Sequence, residues 1–156
     1  MKILVALDES PHSERALEFV TRMRWPAGST IVVLCVAQPV PAGLMPTYEP
    51  QPLLHEIAEA QAARLQETVA RARSALRESG LSTVGRVCAG DPREALIEAA
   101  EAERVDLLVV GSHGRAGLAK LMLGSVSSHV VTHAPCSVLV VKSPHAPRRE
   151  PPGGAS

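Results

Sequence analysis

Residues 106–131 read DLLVVGSHGRAGLAKLMLGSVSSHVV. The opening DLLVV is a short, unbroken apolar run, the pattern of a strand covered on both faces, and it runs directly into Gly111. Gly111, Gly114, Gly124 and Ser125 then give the spacing Gly-x2-Gly-x9-Gly-Ser, after which Val126-Ser127-Ser128 reads as the first turn of a helix. Strand, glycine-punctuated loop and helix start, in that order, are one unit of a parallel α/β sheet, because parallel strands need long crossovers.

The flanks repeat the unit. Upstream, KILVAL at 2–7 is a buried strand ending at Asp8. Ser10 is a helix N-cap with Pro11 in the first turn, and Ala16, Leu17, Val20 and Met23 follow at helical spacing until Pro26 and Gly28 stop it. TIVVLCVA at 30–37 is the most β-branched segment and predicts a central strand. Five prolines between 38 and 52 exclude a helix or central strand and predict a loop. Leu54, Ile57, Gln61, Leu65, Val69, Ala72 and Leu76 mark a long amphipathic helix ending at Gly80.

Residues 83–88 alternate weakly and predict a third strand near a sheet edge. Asp91-Pro92-Arg93-Glu94 predicts an acidic N-cap with Glu94 reaching back in a variant capping box, opening a helix to about 103. Downstream, SVLVV at 137–141 is a fifth strand after Pro135. The expected fold is α/β: a single doubly wound, Rossmann-like, five-stranded parallel sheet with helices on both faces and right-handed crossovers. The domain is expected over 1–144. HAPRREPPGGAS at 145–156, without a large apolar residue, is expected to be a disordered tail.

Composition agrees with this class. The 156 residues suffice for one domain and not two. Only Phe19, Trp25 and Tyr48 are aromatic, so the core is built of Val, Leu, Ile and Ala. Sixteen basic residues balance sixteen acidic ones, which leaves no uniform field to hold nucleic acid or an anionic bilayer. The start does not read as a secretory signal and no apolar run approaches the roughly 20 residues needed to span a membrane, so a cytoplasmic location is expected. Cys35, Cys88 and Cys136 are odd in number and far apart, and are read as buried free thiols rather than a disulfide or zinc framework.

In such sheets ligands bind beyond the carboxyl ends of the strands. Gly111 and Gly114 can turn backbone N–H groups towards a phosphate chain without a Cβ in the way, and the helix start after Gly124 and Ser125 supplies more amides and a positive dipole end. The alternative is that these glycines serve tight turns alone. His113 and Arg115 sit inside the loop and can neutralise charge, Arg115 at any working pH. His129 and His133, four apart, have a metal-chelating spacing without an evident third ligand, or are solvent-facing helix-end histidines. Leu121, Met122 and Leu123 are read as core.

With these segments the chain resembles the universal stress protein family, in particular its ATP-binding branch, whose hallmark is Gly-x2-Gly-x9-Gly-Ser/Thr. The likeness runs over residues 1 to about 143, through ILVALDES-PHSERAL, VLCVA, GDPREALIEAA, the quoted 106–131 stretch and APCSVLVVK. The resemblance implies that Asp8 holds the ribose or helps place Mg2+, that Ala6 and Val36 flank the adenine, and that Gly111, Gly114, Gly124 and Ser125 bind phosphates. Val126 and Ser127 follow as backbone and hydroxyl contacts. Asp8 also suits helix capping, and the two roles are compatible. Glu9 departs from the family's small or apolar residue in this turn. Pointing inward it would recruit Mg2+ or weaken phosphate binding, and it is expected to point outward.

No Walker lysine loop, Gly-x-Ser-x-Gly elbow or Gly-x-Gly-x-x-Gly fingerprint is present. The expected function is a stress-response regulatory module that binds ATP, or AMP or ADP, with Mg2+. It is expected to be a homodimer paired through its last strand, Ser137–Val141, as in the family. The alternatives are an interaction protein whose cleft is unused and a slow ATPase or autophosphorylating enzyme.

Overall fold

The computed structural model describes residues 1–39, 51–114 and 123–142, with side chains in the second helix described from residue 54. The elements are β1 (Lys2–Leu7), α1 (Pro11–Arg22), β2 (Thr30–Ala37), α2 (Gln51–Glu78), β3 (Ser82–Ala89), α3 (Pro92–Ala102), β4 (Leu107–Gly111), α4 (Ser125–His133) and β5 (Ser137–Val141). The strands form one sheet in the order β3-β2-β1-β4-β5, every neighbouring pair parallel. The weakly alternating β3 is an edge strand, as its composition predicts, and β5 is the other edge. The tail read for 145–156 and most of the proline-rich segment lie outside the described residues.

Alternation along the strands sorts the apolar residues into two cores. Ile3, Val5, Leu7, Ile31, Val33 and Val109 face one side, where Ala16 and Val20 of α1 and Leu65, Val69, Ala72 and Leu76 of α2 cover them. Leu4, Val32, Leu34, Leu108 and Val110 face the other, covered by Leu96 and Ala100 of α3 and Val130 of α4. With helices on both faces, the central strands are buried along their middles, where their sequences run apolar without interruption.

Helix ends follow their capping chemistry. Ser10 Oγ accepts the N–H of Ser13 at 3.1 Å ahead of Pro11. Gly80, with φ +79°, closes α2 by a Schellman pair: Gly80 N–H donates to Arg77 O at 2.8 Å and Leu81 N–H to Leu76 O at 3.0 Å. Asp91 caps α3, accepting the Arg93 N–H at 2.9 Å. Hydrogen bonds from the Arg93 side chain and backbone hold the Asp91 carboxyl down at about 2. Glu94 does not complete the expected capping box, because its carboxylate turns to His129 Nε2 at 3.3 Å on the neighbouring α4.

The thiols divide differently from expectation. Cys35 is buried in the core, but Cys88 and Cys136 are only half-buried, since they lie near the sheet's edges. Burial, then the nearby charges of Glu9 and Asp8, pushes the Cys35 thiol up to about 12. An acid whose pKa rises on folding contributes stability that is complete below its ordinary value and drains as pH climbs towards the folded value. The unfolding free energy is therefore expected to fall between about pH 9 and 12, and to fall less in Cys35→Ala. Urea titrations across that range check this, and parallel curves for the two proteins would contradict it.

Candidate functional site

The connection leaving β1 runs towards β2 and that leaving β4 towards β5, so a crevice opens between the carboxyl ends of β1 and β4, the topological switch point. There the structure holds a cleft of about 540 Å3, a size typical of small-ligand sites. Ala6, Asp8, Val36, Gly111, His113, Gly114, Gly124, Ser125, Val126 and Ser127 all line it. Arg115 lies outside the described residues, as do Leu121 and Met122.

Register explains the apolar half. Ala6 pairs with Leu34 across β1 and β2, and both point, with Val36 and Val110, to the α3/α4 side of the sheet. Together with Leu96 from α3 and Val126 from α4 they form an apolar wall. Leu34, Leu96 and Val110 were not singled out by sequence reasoning. Their alternation was readable, but the in-phase register that sets Leu34 beside Ala6 was not.

The polar half gathers around Asp8. Its Oδ1 accepts the Ser10 N–H at 3.1 Å, and its backbone N–H donates to Ser13 Oγ at 3.2 Å. Asp8 thus braces the turn, while the cap of α1 is Ser10 itself. Ser13, also in the cleft, was legible only as the second serine of Ser-Pro-His-Ser. Glu9 adopts φ +63° and turns away from the cleft to Arg64 on α2, 2.7 Å away, with Thr68 Oγ1 at 3.5 Å. It points outward, as expected.

The three glycines are needed for space rather than for left-handed backbone. A Cβ at Gly114 would come within 2.9 Å of Asp8 Oδ2, and one at Gly124 within 3.2 Å of His113 Cα. Gly111 is different. Alternation along β4 turns its missing side chain to the α1 side, where a Cβ would lie 2.7 Å from the backbone carbonyl of His12. The glycine that the sequence offered for phosphate access or a tight turn is what lets α1 pack on β4.

A backbone bond ties the head of α4 to the end of β4: Gly124 N–H donates to Ser112 O at 2.8 Å. Ser127, buried, has Ser112 O and Gly124 O each 3.0 Å from its Oγ. The hydroxyl expected to contact a ligand thus has two backbone acceptors of its own, and Ser127 lines the cleft as well. At the head of α4, Gly124 is the N-cap, with φ −63° and ψ 162°, and being glycine it contributes no side-chain cap. Two residues of its first turn, Ser125 and Val126, whose amides have no acceptor within the helix, line the cleft.

His129 and His133 stack, with ring centroids 4.3 Å apart, and His129 pairs with Glu94. Among the described residues no group of three His, Cys, Asp or Glu side chains is placed to hold a metal ion.

A doubly wound sheet with an apolar-walled cleft at its switch point, flanked by Gly111, Gly114 and the head of α4, defines a Rossmann-like α/β domain. Within that class the chain belongs to the universal stress protein family, whose model matches residues 1–142. A universal stress protein of Thermus aquaticus is 34% identical over 143 residues, covering 90% of this chain and 97% of its own. The solved structure of protein MJ0577, whose biochemical function was assigned from structure, superposes with a TM-score of 0.82 at 26% identity, covering 93% of this chain and 97% of its own. A family protein from Arabidopsis thaliana, solved with AMP bound, shares the fold with a TM-score of 0.68 at 22% identity over 91% of each chain.

Proposed function

We propose that the cleft binds an adenine nucleotide, ATP carried with Mg2+, and that the protein is a nucleotide-responsive regulatory module of the stress response. The observation that carries this reading is the head of α4. Ser10 and Asp91 cap α1 and α3 with their side chains, whereas α4 presents its first amides to the cleft without a side-chain cap. Amides and dipole end together favour an anion there. The apolar wall of Ala6, Leu34 and Val36 suits a planar base, and Asp8 stands between wall and loop, where a ribose would lie. The relative solved with AMP gives the same ligand chemistry.

Mg2+ fits this site as a companion of the phosphates. It prefers hard oxygen ligands and keeps several waters, and Asp8 offers one carboxylate rather than an all-protein cage. Bound there, the ion would neutralise phosphate charge.

The working unit in this reading is a cytoplasmic homodimer. β5 stands at the sheet edge with Val138, Leu139, Val140 and Val141 only half-buried, and pairing across a two-fold axis would cover that strand. No helix among the described residues is long and apolar enough to cross a membrane.

Calorimetric titration of the full chain with Mg-ATP is expected to give saturable heat with one site per chain, and sedimentation a mass twice 16.5 kDa. Absence of heat at about millimolar nucleotide, where even weak binding near 4 kcal/mol registers, would overturn the ligand. A monomeric mass at micromolar concentration would overturn the dimer.

A further inference from the structure

The cleft is apolar along one wall and polar at its loops, and one polar side chain belongs to neither loop. Of those that line it, Asp8 and Ser13 follow β1, His113 follows β4, and Ser125 and Ser127 stand in α4. Gln38 comes instead directly after β2, two residues past Val36, and shares the lining with Pro92 at the head of α3. Gln38 and Pro92 also border a second hollow of about 410 Å3, which continues over Gly90, Asp91 and Arg93. Gln38 therefore marks the rim where the two spaces meet. The charged groups of that hollow are engaged with each other, Arg93 Nε lying 3.1 Å from Asp91 Oδ1. Gln38 is exposed, and among the described residues its carboxamide has no hydrogen-bond partner.

An apolar wall holds a planar base by its faces and has nothing to offer its edge. The polar atoms of that edge lose water as the base settles, and each needs a partner in return. Adenine carries an amino group at C6 between two ring acceptors, N1 and N7. A carboxamide sets an acceptor oxygen beside an N–H donor. On either flank of the amino group it makes the same pair of bonds: Oε1 accepts from N6–H, and Nε2–H donates to the ring nitrogen. Asp91, at the same rim, has no donor and is already held by Arg93.

We infer that Gln38 reads the base, its Oε1 accepting from the adenine amino group, and is a specificity-determining residue of this cleft. The inference rests on the nucleotide reading above and adds to it which purines are taken, those with a 6-amino group. The contact is made with the base alone, so it acts alike on ATP and AMP and is independent of phosphates and Mg2+.

The test is calorimetric titration of the full chain with the Mg2+ salts of three nucleotides, and with AMP. The three are ATP, purine riboside triphosphate, which differs from ATP only in lacking the 6-amino group, and inosine triphosphate, which carries a carbonyl oxygen in its place. The parent is expected to bind ATP about fivefold more tightly than the purine riboside analogue, the scale of one neutral hydrogen bond. In Gln38→Ala that gap should close, with ATP and AMP weakened by the same factor. Gln38→Lys, whose ammonium only donates, should shift the ratio of affinities towards inosine triphosphate by about tenfold. Gln38 is exposed, and both variants are expected to unfold at the urea concentration of the parent.

A parent that binds ATP and the purine riboside analogue alike would overturn base reading by Gln38 and leave the nucleotide proposal standing. So would a gap that survives in Gln38→Ala, whether both nucleotides weaken together or neither does. A loss in Gln38→Ala confined to the triphosphate, or an unchanged preference between ATP and inosine triphosphate in Gln38→Lys, would count against it in the same way. Absence of heat from every nucleotide, in parent and variants alike, would overturn the nucleotide reading and this inference with it.

Discussion

Alanine in place of Gly111 is expected to lower the unfolding free energy by about 3 kcal/mol, at the upper end of the cost of overpacking a close-packed interior. The methyl group would lie 2.7 Å from both the carbonyl carbon and the oxygen of His12 and 2.9 Å from its Cβ. Backbone cannot rotate away as a side chain does, so α1 would have to lift from β4 and give up contacts of Ala16 and Val20, both fully buried. Gly85→Ala is the control. The nearest atoms its methyl would meet are side chains, those of Val69 and Arg73 on α2; Arg73 can swing aside, while the stiff, buried Val69 must shift with its helix. A cost of about 1–2 kcal/mol, below that at Gly111, is expected there. Urea unfolding of the three proteins decides the matter, and a Gly111→Ala protein as stable as the parent would show that α1 does not pack this closely.

That contrast also bears on how far the site was legible in the sequence. Element types and order followed from local signals: Ser10-Pro11 and Asp91-Pro92 at helix starts, Gly80 at a helix end, and unbroken apolar runs for strands buried on both faces. The glycine spacing located the loop because a strand and a helix start bracket it. What the sequence could not carry is what each glycine faces. That depends on strand register and on where α1 lands, which are contacts between residues roughly 100 positions apart, as for His12 and Gly111. The same limit hid Leu34 and Leu96 from the cleft, and the destinations of Glu94 and Ser127 from local pattern. Glu94 fits a capping box by spacing, but a histidine on α4 stands within its reach.

Replacing Ser125 by aspartate is expected to move stability and affinity in opposite directions. Ser125 is exposed and is the first residue of α4, whose N-cap Gly124 lends no side-chain acceptor. A carboxylate there meets the positive end of the helix dipole and should add about 0.3–1 kcal/mol to the unfolding free energy. The same charge would stand where the proposed phosphates bind. Two unit charges about 4 Å apart near a protein surface interact by about 4 kcal/mol, and Mg2+ and salt screen part of it, so a loss of at least about 100-fold in Mg-ATP affinity is expected. Ser125→Lys should reverse both signs, weakening the helix start by a similar few tenths of a kcal/mol while tightening the nucleotide, most at low ionic strength. Any variant that damaged the loop would lower stability and affinity together. The crossed pattern arises only if the amides of α4 are both unsatisfied in the free protein and the seat of the anion. Nucleotide bound by Ser125→Asp with unchanged affinity would therefore remove the phosphates from α4.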